Sequence, residues 1–221
     1  MNKKVLVIAL VLVLAVGSVF AGSMFTAKKS SDVKLGAQLG YGARSFTVSG
    51  KESFKGTSVN YLNGGFYGAF TFEYAMNNDL SLKAEAGINT MGTTKITTTV
   101  SGHSSSGTGS SSTPVNFTIF AGALYNKALN KELSIYAGGG VDMMIGKLSS
   151  DENAEVNAAI GLGAEAGVSY AVDKKLAING GAKFGWHFVN TNDDVEKAKV
   201  GDNHGTSNLT YKFYAGVTYA L

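Results

Sequence analysis

Asn208 to Leu221 reads NLTYKFYAGVTYAL, and its alternation decides the fold. Leu209, Tyr211, Phe213, Ala215, Val217, Tyr219 and Leu221 fall on one side of an extended chain, and Thr210, Lys212, Tyr214, Gly216 and Thr218 on the other. Successive side chains of a strand point to opposite faces, so this segment is a strand with one apolar, aromatic face and one small, polar face.

Seven earlier segments repeat the pattern. Three of them enclose a recurrent hairpin: EYAMNNDLSLKAEAG (73–87), LYNKALNKELSIYAGGG (124–140) and SYAVDKKLAINGGAKFG (169–185). Each contains Tyr, a polar turn, Leu, an alternating run and then small residues. The predicted strands span about 33–47, 61–75, 80–94, 115–125, 133–145, 156–172, 176–189 and 208–221. Short turns follow the second, fourth and sixth, while the long segments 48–60, 95–114, 146–155 and 190–207 join the rest. The Ser-, Thr- and Gly-rich 101–113 reads as a flexible, low-complexity loop.

Two kinds of barrel share this alternation with opposite sign. A soluble lipocalin-like barrel hides its apolar face, whereas a membrane barrel shows that face to lipid. Lys34, Arg44, Glu73, Lys83, Glu85, Asp142, Glu165, Lys183 and Lys212 all lie on the polar face of their strands. Nine charges over eight strands are too few for a soluble surface, where roughly a quarter to a third of positions are charged. Their near balance suits a narrow, partly dehydrated interior. Tyr74, Tyr125, Tyr170 and Tyr219 occupy equivalent apolar-face positions at strand ends, as an interfacial girdle does. Phe117, Trp186, Phe188, Tyr211 and Phe213 serve the opposite rim. The fold expected is all-β: an eight-stranded antiparallel up-and-down transmembrane β-barrel, with glycines such as Gly36, Gly40, Gly138 and Gly140 leaving room inside.

The chain resembles the small eight-stranded outer-membrane barrels of the OmpA/OmpX type. Tyr214, Gly216, Tyr219 and Leu221 match the spacing of that family's C-terminal strand, although Leu221 stands where Phe or Trp is usual. The resemblance implies recognition of this strand by the barrel-assembly machinery, both termini periplasmic, and a monomer in outer-membrane lipid. It also implies a choice among surface adhesion, a narrow channel for small solutes, and a purely structural barrel.

Lys3 and Lys4, an apolar run from Val5 to Val16 and small residues up to Ala21 describe a secretory signal peptide cleaved after Ala21. The run is shorter than the ~18 residues of a spanning helix. Residues 22–221 then form one barrel domain. Losing Lys3 and Lys4 lowers the net charge from +3 to about +1, which argues against nucleic acid as a partner. With no cysteine, neither lipid attachment at a leader cysteine nor a disulfide is available.

No cofactor, metal or catalytic motif emerges. His103 and His204 stand in separate loops with Asp193, Asp194 and Asp202, in no known ligand spacing. His187 is expected on the inner face near the outer rim, facing water. The interior charges Arg44, Glu73, Lys83, Glu85, Asp142, Glu165, Lys183 and Lys212 are expected to pair across neighbouring strands. Loops carry function on a generic scaffold, so candidate contacts to a host or matrix ligand are Lys51, Phe54 and Lys55 in the first loop and Asp193, Asp194 and Lys197 in the fourth.

Overall fold

The computed structural model describes residues 33–49, 57–90, 92–100, 103–110, 115–147, 156–190 and 206–221. The leader 1–21 and the loop candidates Lys51, Phe54, Lys55, Asp193, Asp194 and Lys197 lie outside the described residues, as do Asp202 and His204.

Ten strands are formed: β1 (Val33–Ser49), β2 (Thr57–Ala75), β3 (Leu80–Thr90), β4 (Thr93–Val100), β5 (His103–Ser110), β6 (Val115–Ala128), β7 (Leu133–Lys147), β8 (Val156–Ala171), β9 (Leu176–Asn190) and β10 (Thr206–Ala220). Eight of them, β1, β2, β3, β6, β7, β8, β9 and β10, close an antiparallel ring in that order. Closure runs from Lys34 opposite Ala220 to Val48 opposite Thr206, and the Leu221 amide donates to the Val33 carbonyl at 3.0 Å.

The alternation places the faces as the sequence predicts. Phe70 is 77% exposed and Phe213 60%, whereas Tyr67 between its outward neighbours is 0% exposed. An apolar face left bare around the whole ring is what a bilayer covers and water does not. Trp186 and Phe188 pack edge to face at 5.7 Å on the long-loop rim, and Tyr125, Tyr170 and Tyr219 ring the other.

The short turns are three copies of one device. Asn77 Oδ1 accepts from the Asp79 and Leu80 amides at 2.9 and 2.8 Å. Asn130 Oδ1 accepts from Glu132 and Leu133 at 2.9 and 2.7 Å. Asp173 Oδ1 accepts from Lys175 and Leu176 at 2.7 and 2.8 Å. A short Asx side chain mimics a backbone acceptor and fixes the reversal. The recurrent Leu of the sequence repeat is the residue whose carbonyl closes each turn: Leu80, Leu133 and Leu176 each accept two amides.

The long-loop end departs from expectation. The third strand ends at Thr90 rather than near 94, and residues 95–110, predicted as loop, join Thr93 and Thr94 in the β4–β5 hairpin, paired without a register shift from Thr93–Ser110 to Val100–His103. β3 covers the lower half of β2, from Tyr67 to Ala75, and β4 takes over its upper half, from Thr57 to Gly64. The Gly92 amide bridges to the Gly64 carbonyl at 3.0 Å where one replaces the other. β6 meets β3 only as far as Val115 opposite Thr90, so β5 continues beside β4 with no second neighbour among the described strands. Threonine suits a strand, and β4 is rich in it.

Candidate functional site

The lumen is filled at its centre by two lysines and two glutamates. Lys83 and Glu85 sit two apart on β3, and Glu165 faces Lys183 across the β8–β9 ladder. Lys83 Nζ lies 2.5 Å from Glu165 Oε1 and 3.6 Å from Glu85. Lys183 pairs with Glu85 and lies 3.5 Å from Glu165. The result is an alternating, neutral square with all four side chains buried. Around it, the Tyr67 hydroxyl donates to Glu85 and the Tyr214 hydroxyl to Glu165, while the Tyr136 and Tyr214 hydroxyls meet at 2.8 Å. With Gln38 Nε2 turned to Glu85 at 3.2 Å, its Oε1 accepts from Lys83 at 3.2 Å. Phe120 caps Lys183, whose Nζ is 4.5 Å from the ring centroid. Buried charges are tolerable only when paired and hydrogen-bonded in this way.

Two glycines explain how three tyrosines fit in so narrow a ring. A Cβ at Gly181 would stand 2.7 Å from the Tyr214 hydroxyl and 2.9 Å from that of Tyr136. Gly167, its neighbour in the β8–β9 ladder, faces the Tyr136 ring in the same manner.

Towards the long-loop end a second cluster centres on Asp142. Its Oδ2 lies 3.2 Å from His187 Nε2 and accepts from Thr210 Oγ1 at 3.4 Å, and its Oδ1 is 3.5 Å from Lys212 Nζ. His187 is therefore fully buried against a carboxylate rather than turned to water at the rim. A further correction concerns geometry. Glu85–Lys183, Lys83–Glu165 and Asp142–Lys212 join strands two or more places apart in the ring, across the lumen and not between neighbours. In an eight-stranded ring the opposite wall is within reach of a long side chain. Two pairs do join adjacent strands: Glu165 with Lys183 between β8 and β9 at 3.5 Å, and Glu73 with Lys34 between β2 and β1, loosely, at 4.0 Å. Arg44 is buried on the inner face of β1.

Sequence reasoning left Tyr67, Tyr214 and Gln38 out of the interior network, though each sat on the polar face. The available signal was a large polar side chain alternating with glycines. Phe120 and Leu124 also point inward, both 1% exposed.

Below the square, at the short-turn mouth, the lumen opens into a vestibule of about 320 Å³ whose floor is Lys83, Gln38 and Tyr136 and whose rim includes Lys34, Lys131 and Lys174. At the other end β5 presents an exposed strand from His103 to Thr108.

No curated protein matches the chain. Among solved structures, Neisserial surface protein A is similar at 16% identity and a TM-score of 0.55, over 86% of this chain and 98% of that one. The outer membrane protein OprG of Pseudomonas aeruginosa is similar at 12% identity and a TM-score of 0.52, over 86% and 98% respectively. These likenesses are of fold. Residues 9–219 match the family described as Outer membrane protein beta-barrel domain, and the chain, with its bare apolar belt and closed eight-stranded ring, belongs to that family of the bacterial outer membrane.

Proposed function

We propose that this barrel is a surface-interaction protein whose long-loop end, extracellular by the family's short-turn/long-loop rule, docks an extended segment of a host-cell or matrix protein. The observation that carries the reading is the β5 edge. Eight consecutive residues, HSSSGTGS, run straight along β4 with no bulge, proline or lysine. Natural sheets blunt exposed edges with those devices, and an edge without them is a template for strand addition. Nothing bulky obstructs approach: a Cβ at Gly107 would meet no atom within 4 Å. The small, uncharged side chains leave affinity to main-chain hydrogen bonds. What weighs against a conducting lumen is the buried square, and we place neither catalysis nor a cofactor here. The working protein in this proposal is a monomer, its leader removed after Ala21, delivered by the assembly machinery through β10.

Adjacent strand residues point their amides to opposite sides, so Ser105→Pro and Ser106→Pro remove one outward and one inward donor. Bacteria displaying either variant should adhere to immobilised matrix proteins or epithelial cells at a tenth or less of the wild-type level, with the barrel still migrating as folded in gel electrophoresis. Wild-type adhesion in both proline variants, or none in the intact protein, would sink the proposal.

A further inference from the structure

We propose that the vestibule at the periplasmic mouth binds a small carboxylate-bearing solute, a site independent of the extracellular edge. Three features of the cavity carry this. It is one-ended: the Lys83–Glu85–Glu165–Lys183 square and the tyrosines close it above, so a solute entering from the turns stops there. Its volume of about 320 Å³ lies at the lower end of small-molecule sites.

Its charges are unequal in availability. Of the lining carboxylates, Asp173 is occupied by the Lys175 and Leu176 amides. Glu132 accepts from the outward-facing Tyr170 hydroxyl at 3.1 Å. Glu73 meets Lys34 only at 4.0 Å. Of the lining ammonium groups, Lys83 is engaged in the square and Lys175 lies over the Tyr219 ring at 5.4 Å. Lys131 and Lys174 have no carboxylate partner among the described residues. Outside the square the lining holds Lys34, Lys131, Lys174 and Lys175 against Glu73, Glu132 and Asp173, an excess of one positive charge, with Lys131 and Lys174 in no ion pair among the described residues. Low-dielectric walls around such a mouth focus its field on an entering anion.

The wall below the rim adds neutral polar groups suited to the rest of a peptide-like solute. Asn179, only 7% exposed, makes one long contact, Nδ2 to Thr218 Oγ1 at 3.4 Å, with its Oδ1 covered against Gly216. Ser134 and Ser169, half-buried on the same wall, offer hydroxyls to such a ligand while its carboxylate meets the lysines.

The test is a titration of the mature protein in lipid nanodiscs with N-acetyl-alanyl-alanine and, separately, its C-terminal amide, followed by backbone amide NMR shifts. The acid should give saturable shifts at Ser134, Asn179 and Thr218, and the neutral amide should bind at least tenfold more weakly. Lys131→Gln with Lys174→Gln should weaken the acid at least tenfold without moving the unfolding midpoint. Lys95→Gln, exposed at the far end on β4, should leave binding unchanged. Equal binding of acid and amide to the wild-type protein would overturn the proposal, as would shifts that never saturate or an equal loss from Lys95→Gln.

Discussion

The centre of the lumen and the β4–β5 extension are built from the same antiparallel ladder and use it differently. At the centre, Lys83, Glu85, Glu165 and Lys183 each meet partners from another wall, with three tyrosines bonded around them. In the extension, Thr99 and Ser104 share a 2.8 Å hydroxyl contact between the half-buried β4 threonines and the exposed β5 strand. Interlocked side chains determine the first region many times over. The second is held mainly by its backbone, which leaves one edge available. Rigidity and accessibility are thus separated along one sheet.

The largest effect that breaks this contrast is removal of a central charge. Glu165→Ala leaves Lys83 and Lys183 sharing one carboxylate and strips the Tyr214 hydroxyl of its acceptor. Breaking a buried pair from one side costs about 3–5 kcal/mol, whereas replacing the set by apolar groups of similar size is often near neutral. Urea unfolding in lipid should show that loss, and Lys83→Met added to Glu165→Leu should restore much of it. A Glu165→Ala midpoint equal to wild type would mean that the centre is wet and the contrast false.

Steric filling comes next. Gly181→Val sets carbon atoms against the Tyr136 and Tyr214 hydroxyls. Overpacking of this kind costs about 1–3 kcal/mol, and the same unfolding assay should place the variant between wild type and Glu165→Ala. Excising residues 97–106 from the extension should move the midpoint by less than about 0.5 kcal/mol, as surface changes do. A larger shift would make the extension part of the barrel's stability.

The ring and its inside-outside sense were legible because one periodicity carries both. The nine charges that the sequence assigned to strands fell on the face that Tyr67, Lys83 and His187 show to be buried. The Leu80, Leu133 and Leu176 repeat marked the turns for a local reason: an Asx acceptor and a closing carbonyl lie within four residues of each other. What escaped depends on ring geometry. Which lysine meets which glutamate across the lumen is set by register and stagger summed over several strands, so adjacency in the ladder was a poor guide. The hairpin at 93–110 escaped for the opposite reason. Composition weighs side chains, and this hairpin is held by main-chain pairing of β4 to β2, whose partners lie 29 to 43 residues back in the chain. Lys131 and Lys174 of the vestibule rim sat in turns already explained as turns.

The smallest effect belongs to the turns, where three equivalent acceptors differ in one respect. Asn77 and Asn130 are neutral, and Asp173 is a carboxylate held below its ordinary value of 3.8 by the amides of Lys175 and Leu176. A group depressed in the folded state stabilises it above the unfolded pKa, and that contribution disappears as pH falls through the folded value. Asp173 is fully exposed, so solvent screens the effect. Asp173→Asn can make the bonds that Asn77 and Asn130 already make, and at pH 7 its urea midpoint should match the wild type. Between pH 5 and about pH 2.5 the wild-type midpoint should fall slightly further than that of the variant, with the interior carboxylates contributing equally to both. Parallel curves would show that the carboxylate does no more than an amide there. A variant already weaker at pH 7 would show that its charge matters beyond the turn, for instance by restraining the ammonium groups of Lys174 and Lys175 beside it.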